Sequence, residues 1–355
     1  MVGMRKMETF IDLRSDTVTQ PTPEMLQAII SAQVGDDCSR EDPTVNRLEA
    51  MAASRLGKEA GLLVPSGTMG NLVSVLAHTH RGDEVIMESE CHIYYYEVGS
   101  ISAVAGVIPR LVKGNHGVLD PDDLKKAIRG EDIHYPTPTL IAVENTHNRG
   151  GGTVTSVEQS RAICDVAKDR GLSTHLDGAR IFNAAVALGV DARELAQPFD
   201  SVMFCLSKGL SAPVGSVVVG SREFIERARK YRKMLGGGMR QAGIIAAAGI
   251  VALETMVDRL EEDHINARYL GEGLAEISGI QVELETVQTN MVYFDVGELG
   301  FDSVSFLKEL EMRKVRASLR PPTGVRMVTH RHISRENISY VLEVVEEIAK
   351  SRSVC

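Results

Sequence analysis

Lys208 occupies a position where a lysine side chain is unusual. It follows the apolar run 201–206, which has the length and composition of a buried strand, and it is followed by Gly209. Most lysines lie on protein surfaces, so a surface role is the more common explanation for a single lysine. The chemical alternative is an amine that becomes neutral, attacks an aldehyde and forms a Schiff base. Lys208 is therefore a candidate nucleophile whose role depends on the residues around it.

Asp177 ends a second apolar run and strengthens this interpretation. The run 172–176 predicts another buried strand, with Asp177 at its tip and Gly178 in the turn that follows. An aspartate after a strand commonly caps the next helix. Its chemical role would be to keep a proton on the nitrogen of a pyridine ring, so that the ring withdraws electrons. An aspartate and then a lysine, each at a strand end of one sheet, occur in this order in enzymes that use such a ring.

Two further patterns predict a phosphate-binding turn and an imidazole close to a ring. A predicted strand is followed by Gly67 and Thr68, small residues whose backbone N–H groups lead into an apolar helix, as in phosphate sites at helix N-termini. His92 comes just after the next predicted strand, where it could stack over a cofactor ring. Many strand-to-helix turns resemble the first pattern, and a lone histidine is more often structural. In this order, and together with the aspartate and the lysine, they indicate a site for pyridoxal 5′-phosphate (PLP).

Alternating strands and helices must position these residues. Apolar runs of strand length alternate with longer helical patterns, which predicts an α/β fold with a mostly parallel sheet covered on both faces. Ligands of such sheets bind at the carboxyl ends of the strands. The predicted strands are 61–65, 84–87, 140–143, 172–176, 201–206 and 214–219, and the predicted helices are 122–128, 157–170 and, rich in alanine, 243–260.

The C-terminal part of the chain predicts a smaller α+β domain. The predicted elements are a helix to about 277, strands near 280–284, 291–295 and 325–329, and helices from 303 and from 334. We therefore predict two domains. Residues 1–255 would form the large domain with an N-terminal arm, and residues 256–355 would form the small one.

The composition is that of a globular protein and excludes several other classes. The chain has 355 residues, of which 43% are hydrophobic and 25% charged, and its formal charge of −9 argues against a general affinity for nucleic acid or anionic membranes. No stretch approaches the roughly 20 apolar residues of a membrane helix, and the N-terminus lacks the apolar core of a secretory signal. The five cysteines, which show no CxxC pattern, predict reduced thiols and a cytoplasmic location; they are Cys38, Cys91, Cys164, Cys205 and Cys355.

Several long motifs closely resemble those of the low-specificity L-threonine aldolases. They are DLRSDTVT (12–19), VGDD (34–37), EDPT (41–44), ENTHN (144–148), LDGARIFN (176–183), LSKGL (206–210) and GGGMRQ (236–241), and the resemblance extends from about residue 11 to residue 330. It implies the aspartate-aminotransferase-like PLP fold type I, with a seven-stranded, mostly parallel sheet in the large domain. It also implies PLP as the cofactor and a homo-oligomer, a tetramer built from dimers that share active sites.

The resemblance implies a role for each residue that matches a motif. Lys208 resembles the lysine that forms the Schiff base with PLP, and Asp177 resembles the partner of the pyridine nitrogen. His92 matches the histidine that stacks on the ring. Gly67 and Thr68 match the phosphate-binding turn.

The remaining matches concern the phosphate and the substrate. Arg240 resembles an arginine that the neighbouring subunit offers to the phosphate. Ser15, Arg180 and Arg326 resemble the group that binds the substrate carboxylate, a task that suits the planar guanidinium of arginine, and Arg180 is expected beside the cofactor as well. His134 matches a second active-site histidine near the substrate hydroxyl. No residues have the spacing of metal ligands, so we predict no metal.

Two segments depart from the family pattern. The family has an aromatic residue near the substrate side chain where this chain has Ser39, which puts the preference for the β-substituent in doubt. The segment 316–323 also differs from the usual approach to the carboxylate arginine, and Arg320 in it lies close in sequence to Arg326. We expect the chemistry itself to survive both changes.

The resemblance implies retro-aldol cleavage of L-threonine or L-allo-threonine to glycine and acetaldehyde, as in threonine catabolism or glycine biosynthesis. Such an enzyme is L-specific at Cα and relaxed at Cβ. The base that takes the β-hydroxyl proton is His92, His134 or a water held by one of them. Because the fold and the cofactor support several reactions, alternatives are β-elimination or dehydration, racemisation and hydroxymethyl transfer. A non-catalytic PLP-binding protein is a further alternative, which the presence of Lys208 and Asp177 disfavours.

Overall fold

The computed structural model describes residues 10–352 of the chain. Residues 1–9, in which the absence of a secretory signal was predicted, and Cys355 lie outside the described residues. Residues 19–261 form a larger compact unit, and residues 10–18 together with 262–352 form a smaller one. The predicted domains, 1–255 and 256–355, differ from these compact units at both ends of the larger unit, and as domains they stay a prediction.

The strands and helices of the described residues are numbered in chain order. The strands are β1 (Ile11–Asp12), β2 (Ala60–Val64), β3 (Glu84–Glu88), β4 (Ile108–Val112), β5 (Pro138–Glu144), β6 (Ser173–Asp177), β7 (Ser201–Cys205), β8 (Ser216–Gly220), β9 (Gln281–Val282), β10 (Met291–Asp295), β11 (Val315–Arg316), β12 (Ser318–Arg320) and β13 (Gly324–Val328). The helices are α1 (Pro23–Ile30), α2 (Pro43–Arg55), α3 (Gly67–His78), α4 (His92–Tyr95), α5 (Pro121–Ala127), α6 (Val157–Asp169), α7 (Ile181–Leu188), α8 (Ala192–Ala196), α9 (Arg222–Met234), α10 (Gly243–Thr255), α11 (Leu260–Ala275), α12 (Ser303–Met312) and α13 (Arg335–Arg352).

The larger unit contains a seven-stranded sheet in the order β2-β8-β7-β6-β5-β3-β4. Strand β8 is antiparallel to both of its neighbours, and every other pair of adjacent strands is parallel. The prediction of a mostly parallel, seven-stranded sheet is therefore confirmed. The central strands β7 and β8 are buried along their whole length, as expected for strands covered on both faces.

Local sequence signals explain where several of these elements begin and end. Helix α6 begins with a capping box between Ser156 and Gln159, and the chain turns out of it at Gly171, whose φ of +68° is the left-handed conformation common at helix ends. The predicted helix 243–260 is confirmed over residues 243–255 and wrong over residues 256–259, because α10 ends at Thr255 and α11 begins at Leu260. The Thr255 hydroxyl donates to the backbone oxygen of Val251 at 2.8 Å, a bond that competes with the helix ladder at this point.

The smaller unit contains an antiparallel four-stranded sheet in the order β12-β13-β10-β9 and a parallel pair, β1 with β11. The predicted strand 291–295 and the predicted helix start at residue 303 are confirmed by β10 and α12. The predicted strand 280–284 is shorter than expected, because only two residues pair before a 3-10 turn begins at Leu284. A separate apolar core, which includes Phe294 and Phe306, stabilises this unit.

Among residues 10–352, no helix combines the length and the apolar character that crossing a membrane requires.

Candidate functional site

The sheet of the larger unit brings most of the candidate residues to one edge. Asp177 is the last residue of β6, and Lys208 follows the end of β7 by three residues. Gly67 begins the helix that follows β2, and His92 begins the short helix that follows β3. Because β2, β3, β6 and β7 run in the same direction, their carboxyl ends lie at the same edge of the sheet.

The carboxylate of Asp177 is buried and bound on both oxygens. Its Oδ1 accepts a hydrogen bond from the backbone N–H of Ala179 at 3.1 Å, and its Oδ2 accepts one from Nδ2 of Asn71 at 2.8 Å. The residue is only 1% exposed. The two N–H donors fix the orientation of the carboxylate, while each oxygen keeps a lone pair for another donor. Asp177 can therefore hold a proton on a ring nitrogen, as predicted for it.

His92 is held in place through both its backbone and its side chain. Its backbone N–H donates to Oε2 of Glu144 at 2.6 Å, and its Nδ1 lies 2.9 Å from Oε1 of Glu97. Burial lowers the pKa of His92, but the hydrogen bond to Glu97 and the charge of Asp177 outweigh burial, so this pKa lies above its usual value. The imidazole keeps 30% of its surface exposed, so it can contact a ligand.

Asn71 and Glu97 also belong to this cluster, although no role was predicted for either residue from the sequence. Nδ2 of Asn71 donates to Oε1 of Glu97 at 2.7 Å as well as to Asp177, so one amide joins both carboxylates. Glu97 is 1% exposed, and this burial raises the pKa of its carboxyl above the usual value. The signal for Asn71 was present in the sequence, because a polar residue interrupts the apolar pattern of α3. Glu97 follows three tyrosines and had no comparable signal.

The predicted phosphate-binding turn forms the N-terminus of a twelve-residue helix. Gly67 and Thr68 are the first two residues of α3, and the Ser66 side chain caps it by accepting from the Met69 N–H at 3.2 Å. The backbone N–H groups of the first helical turn have no partner within the helix and attract anions. A Cβ on Gly67 would lie 3.0 Å from Sγ of Cys205, so a glycine lets the end of β7 approach the start of the helix closely.

The backbone around Lys208 is fixed, whereas its side chain is partly exposed. Its backbone oxygen accepts from Oγ1 of Thr19 at 2.9 Å and from the N–H of Ser211 at 2.8 Å. A Cβ on the next residue, Gly209, would lie 2.9 Å from Cδ2 of Leu260. This turn holds the Cα of Lys208 close to the end of β7. The side chain is partly exposed, long and flexible, so it can still change its conformation.

Arg180 lies in the same turn as Asp177 and begins the next helix, α7. It is 6% exposed, which is rare for an arginine and requires that its charge be compensated. It lies three positions after the aspartate, so it belongs to the same strand-end region, and its role beside the cofactor and the substrate stays a prediction.

Ser15 and Arg326 belong to the smaller unit, where they are close neighbours. Nη2 of Arg326 donates to the backbone oxygen of Arg14 at 2.9 Å, and that carbonyl is part of the peptide bond to Ser15. The grouping of these two residues with Arg180, which belongs to the larger unit, stays a prediction. Arg320 stacks over the ring of Tyr293 at 4.4 Å, and Tyr293 is the cross-strand partner of Arg326, so both arginines are on the same face of the sheet.

Arg240 is exposed and pairs with an acidic residue of its own chain. Its Nη1 lies 3.0 Å from Oδ2 of Asp36, and its side chain is 68% exposed. An exposed ion pair of this kind contributes little to stability. The role of Arg240 at a phosphate of the neighbouring subunit stays a prediction.

The structure does not bring His134 to this cluster. His134 lies in the loop that precedes β5, its side chain is 77% exposed, and its Nδ1 bonds to Asp132 at 2.7 Å. It is therefore at the amino end of β5, whereas Asp177 is at the carboxyl edge of the sheet. A seven-residue strand spans roughly 20 Å, which separates the two within one chain. A role for His134 near the substrate hydroxyl requires the loop of a second copy.

The residues of the cluster fit PLP, a phosphorylated pyridine aldehyde. A buried carboxylate suits the ring nitrogen, an imidazole suits the ring face, a helix N-terminus suits the phosphate, and a lysine suits the aldehyde. Within residues 10–352, His92, Glu97 and Asp177 are also the one group of three side chains whose ligand atoms lie within 4.8 Å of one another. Because hydrogen bonds among them and to Asn71 account for their arrangement, the absence of a metal stays our prediction.

The chain is similar to known proteins over nearly its whole length. A family model described as Beta-eliminating lyase matches residues 12–296. Low-specificity L-threonine aldolase 1 of Arabidopsis thaliana is 45% identical over 342 residues, which cover 95% of this chain and 96% of the plant protein. Low specificity L-threonine aldolase of Escherichia coli strain K12 is 44% identical over 333 residues, which cover 93% and 97%.

A solved structure shares the fold. The threonine aldolase of Leishmania major matches with a TM-score of 0.82 at 18% sequence identity, and the match covers 96% of this chain and 99% of the Leishmania chain. The fold that the sequence motifs implied is thereby confirmed.

Proposed function

The chain belongs to the β-eliminating lyase family and to the low-specificity L-threonine aldolases, and on that premise we propose that it cleaves L-threonine and L-allo-threonine to glycine and acetaldehyde with PLP as its cofactor. The observation that carries this proposal is the buried cluster in which Asn71 joins Asp177 to Glu97 and thereby to His92. This cluster lies at the same sheet edge as Lys208. A carboxylate, an imidazole and a lysine in this arrangement match the nitrogen, the face and the aldehyde of a pyridine cofactor.

When bound, PLP supplies an electron sink that accepts the electron pair left on Cα when the Cα–Cβ bond breaks. Asp177 keeps the proton on the ring nitrogen, since both of its oxygens are already stabilised by N–H donors. The backbone N–H groups of Gly67 and Thr68 bind the phosphate at the start of α3. Lys208 supplies the amine that reacts with the aldehyde and that the substrate amine replaces.

The substrate carboxylate selects which bond breaks. Ser15, Arg180 and Arg326 bind it, and a guanidinium can do so through two parallel hydrogen bonds that fix its orientation. A carboxylate held in this way would fix the orientation of the substrate about Cα, and that orientation would select the Cα–Cβ bond as the one that the electron sink weakens.

The β-hydroxyl must lose its proton as the bond breaks. Nδ1 of His92 is bound to Glu97, so Nε2 is the atom that His92 can offer to the hydroxyl or to a water beside it. A pKa above the usual value makes the neutral form of His92 a stronger base, so Nε2 would take the hydroxyl proton either directly or through a water that it positions. His134 of a second copy is the alternative partner of the hydroxyl.

The proposal extends to the assembly and location of the protein. It includes a homo-oligomer, a tetramer built from dimers, in which Arg240 serves the neighbouring site. It also includes a cytoplasmic location, which the free thiols of Cys38, Cys91, Cys164 and Cys205 support. The reaction would then serve glycine formation or threonine breakdown.

The first experiment is a covalent trap combined with a product assay. The protein is incubated with PLP, reduced with borohydride and digested, and we expect the cofactor mass on the peptide that contains Lys208. L-Threonine and L-allo-threonine should both give glycine and acetaldehyde in equal amounts. Lys208→Ala should abolish the trapped mass and the products, whereas Lys230→Ala, at an exposed position of α9, should change neither. A trapped mass on another lysine would contradict the proposal.

β-Elimination is the second candidate, because the matching family model describes β-eliminating lyases. The same residues would serve it, since the cofactor supplies the electron sink and the site selects the bond. Elimination from L-threonine yields ammonia and a keto acid instead of glycine and acetaldehyde. Measurement of all four products from one reaction distinguishes the two candidates.

A further inference from the structure

A line of polar residues extends from Asp177 into the protein, and the reaction described above uses only its first member, Asn71. The line consists of Asn71 and His78 on α3, His175 on β6 and Ser201 on β7. Asn71, His175 and Ser201 have no exposed surface. His175 lies two residues before Asp177, so both side chains are on the same face of the sheet, and Ser201 is the cross-strand neighbour of His175.

Hydrogen bonds connect the whole line. Nδ2 of Asn71 lies 2.8 Å from Asp177 and 2.7 Å from Glu97, and its Oδ1 lies 3.1 Å from Nε2 of His175. Nδ1 of His175 lies 2.9 Å from the Ser201 hydroxyl, and that hydroxyl lies 2.7 Å from Nε2 of His78. Polar groups this deep are costly unless each one is satisfied, and here each one has a hydrogen-bond partner in the line.

The chemistry of the groups fixes the direction of every bond. Both hydrogens of the Asn71 amide go to carboxylates, so its oxygen must accept, and His175 must carry its proton on Nε2. Nδ1 of His175 then accepts from the Ser201 hydroxyl, which accepts in turn from Nε2 of His78. Burial lowers the pKa of His175 to about 3 and that of His78 to about 4, so both imidazoles are neutral at neutral pH. The line therefore has one arrangement of protons and no charge.

This direction excludes the flipped orientation of the Asn71 amide. A flip would aim its oxygen at the carboxylates of Asp177 and Glu97 and its N–H groups at the N–H of His175. All three contacts would be repulsive, so His175 acts as a lock on the amide. The locked amide sets the separation of Asp177 from Glu97, and the hydrogen bond from Glu97 sets the position of His92.

We propose that Asn71, locked by His175, is a positioning residue that fixes the carboxylate of Asp177 and the imidazole of His92 relative to one another, the first for the nitrogen and the second for the face of one cofactor ring. The inference rests on the proposed function, because it requires PLP between these residues. The purpose that it assigns to the line of polar residues is to position Asp177 and His92 relative to one another. If the link between Asp177 and His92 were flexible, Asp177 would recognise the ring nitrogen and His92 the ring face independently of one another.

The test compares variants that remove the amide with a control on the same helix. Asn71→Leu keeps a similar volume and removes all three hydrogen bonds, whereas Ser74→Ala removes only a buried hydroxyl that bonds to the backbone oxygen of Gly70. We measure the PLP dissociation constant by fluorescence, the pH titration of the visible absorbance of the loaded protein, and kcat and KM separately. The unfolding midpoint of the PLP-free protein reports any purely structural effect.

For Asn71→Leu we expect the PLP dissociation constant to rise on the order of 10-fold to 100-fold, the usual effect of removing a residue that orients a ligand-binding group. The pH midpoint of the absorbance should move upward, because a less firmly protonated ring nitrogen makes the Lys208 nitrogen easier to protonate. The value of kcat should fall more than KM rises. Ser74→Ala should leave all of these values unchanged.

A second pair of variants tests the lock without touching any residue at the cofactor. His175→Gln keeps an N–H donor that can reach Oδ1 of Asn71, whereas His175→Leu removes it. We expect the leucine variant to reproduce the upward shift of the absorbance midpoint and the glutamine variant to restore the wild-type value. This pair keeps the proposal testable even where Asn71→Leu fails to fold.

Each outcome bears on one of the two proposals. Two results together overturn the positioning role and leave the function intact. The wild-type protein binds PLP and cleaves threonine, and the Asn71 and His175 variants have the same absorbance midpoint and PLP affinity as the wild type. A lowered unfolding midpoint with an unchanged absorbance titration also overturns it, because that result describes a structural role. Wild-type protein that fails to bind PLP overturns both proposals.

Discussion

Asp177 is the residue on which the proposed chemistry depends most. It is the buried carboxylate at the end of β6, and hydrogen bonds from Ala179 and Asn71 hold both of its oxygens. In Asp177→Asn, the volume is kept and the charge is lost, so the ring nitrogen has no anion to keep its proton. We expect kcat to fall by about 100-fold or more, the effect of removing one preorganised electrostatic group, and KM to change much less. Steady-state kinetics with L-allo-threonine measure this.

The control is Asp165→Asn on the exposed side of α6, which should keep the wild-type kcat. An Asp177→Asn enzyme with full kcat would remove this carboxylate from the chemistry.

Arg326 tests whether the substrate carboxylate is bound by a fork of two hydrogen bonds. In Arg326→Lys, the charge is kept and the paired geometry is lost. We expect KM for L-threonine to rise by about 10-fold or more, while PLP affinity stays unchanged, since a lost bidentate contact costs roughly 1.4 kcal/mol or more. Arg320→Lys is the matched control on the same sheet face, where the guanidinium stacks on Tyr293 instead. An equal rise in KM for both variants would assign Arg320 to substrate handling too.

At this scale the sequence indicated the strand-end positions of Asp177 and Lys208, which are proposed to contact the cofactor, but not the residues that support them. Asp177 and Lys208 follow apolar strands directly, so the sheet itself predicts where they lie. The contact between Asn71 and Glu97 joins α3 to the turn that follows α4 through side chains 26 residues apart, and no local pattern encodes such a contact. His134 matched a family motif, but a motif does not show which edge of the sheet a residue occupies. The loop that contains His134 precedes β5, so it lies at the opposite edge of the sheet from Asp177.

At the scale of elements, α3, β6 and β7 are joined by two buried neutral histidines, His78 and His175, which make stability depend on pH. Their pKa values of about 4 and about 3 in the folded protein lie below the value of roughly 6.5 in the unfolded chain. The unfolded state therefore binds more protons as the pH falls below about 6.5, and folding stability is lost as the pH falls from there towards the folded-state pKa values. Between pH 7 and pH 5 each such histidine should cost about 2 kcal/mol of stability.

His78→Gln should weaken this pH dependence, because its amide keeps a donor for Ser201 and does not titrate. The urea midpoint of the PLP-free protein should fall less between pH 7 and pH 5 in this variant than in the wild type. His134→Gln, on the exposed loop, should keep the response of the wild type. A His78→Gln protein with the full wild-type decrease would show that this imidazole is also protonated in the folded state.

The predicted elements succeed where burial dominates the sequence pattern and fail where it does not. Strand β8 contains a run of β-branched residues and lies inside the sheet between β2 and β7, so its prediction needed no other information. Strand β4 was not predicted, because Pro109 and Arg110 interrupt its apolar pattern, which an edge strand tolerates. Helix α2 was missed although Asp42 caps it and Pro43 begins it, a start signal that the sequence does contain.

At the scale of the whole molecule, the similarity to threonine aldolases covers nearly all of the chain, but the assembly depends on contacts that one chain does not contain. Arg240 is 68% exposed and pairs with Asp36 of its own chain. His134 lies far from the strand-end cluster of its own chain. The proposal that a second copy completes each site explains both matches to family motifs. A symmetric dimer places the same surface of each copy against the other, so both sites would be completed in the same way.

Mixing two inactive variants tests whether the site is shared. Lys208→Ala lacks the nucleophile, and Arg240→Leu lacks the arginine offered to the phosphate, so each should be nearly inactive alone. When equal amounts are unfolded, mixed and refolded into dimers, half of the dimers contain both chains. Each of these has one site with both defects and one site with neither, so about a quarter of the wild-type activity should return. If Arg240 served its own chain, no mixed dimer would contain an intact site, and the mixture would stay as inactive as Lys208→Ala refolded alone.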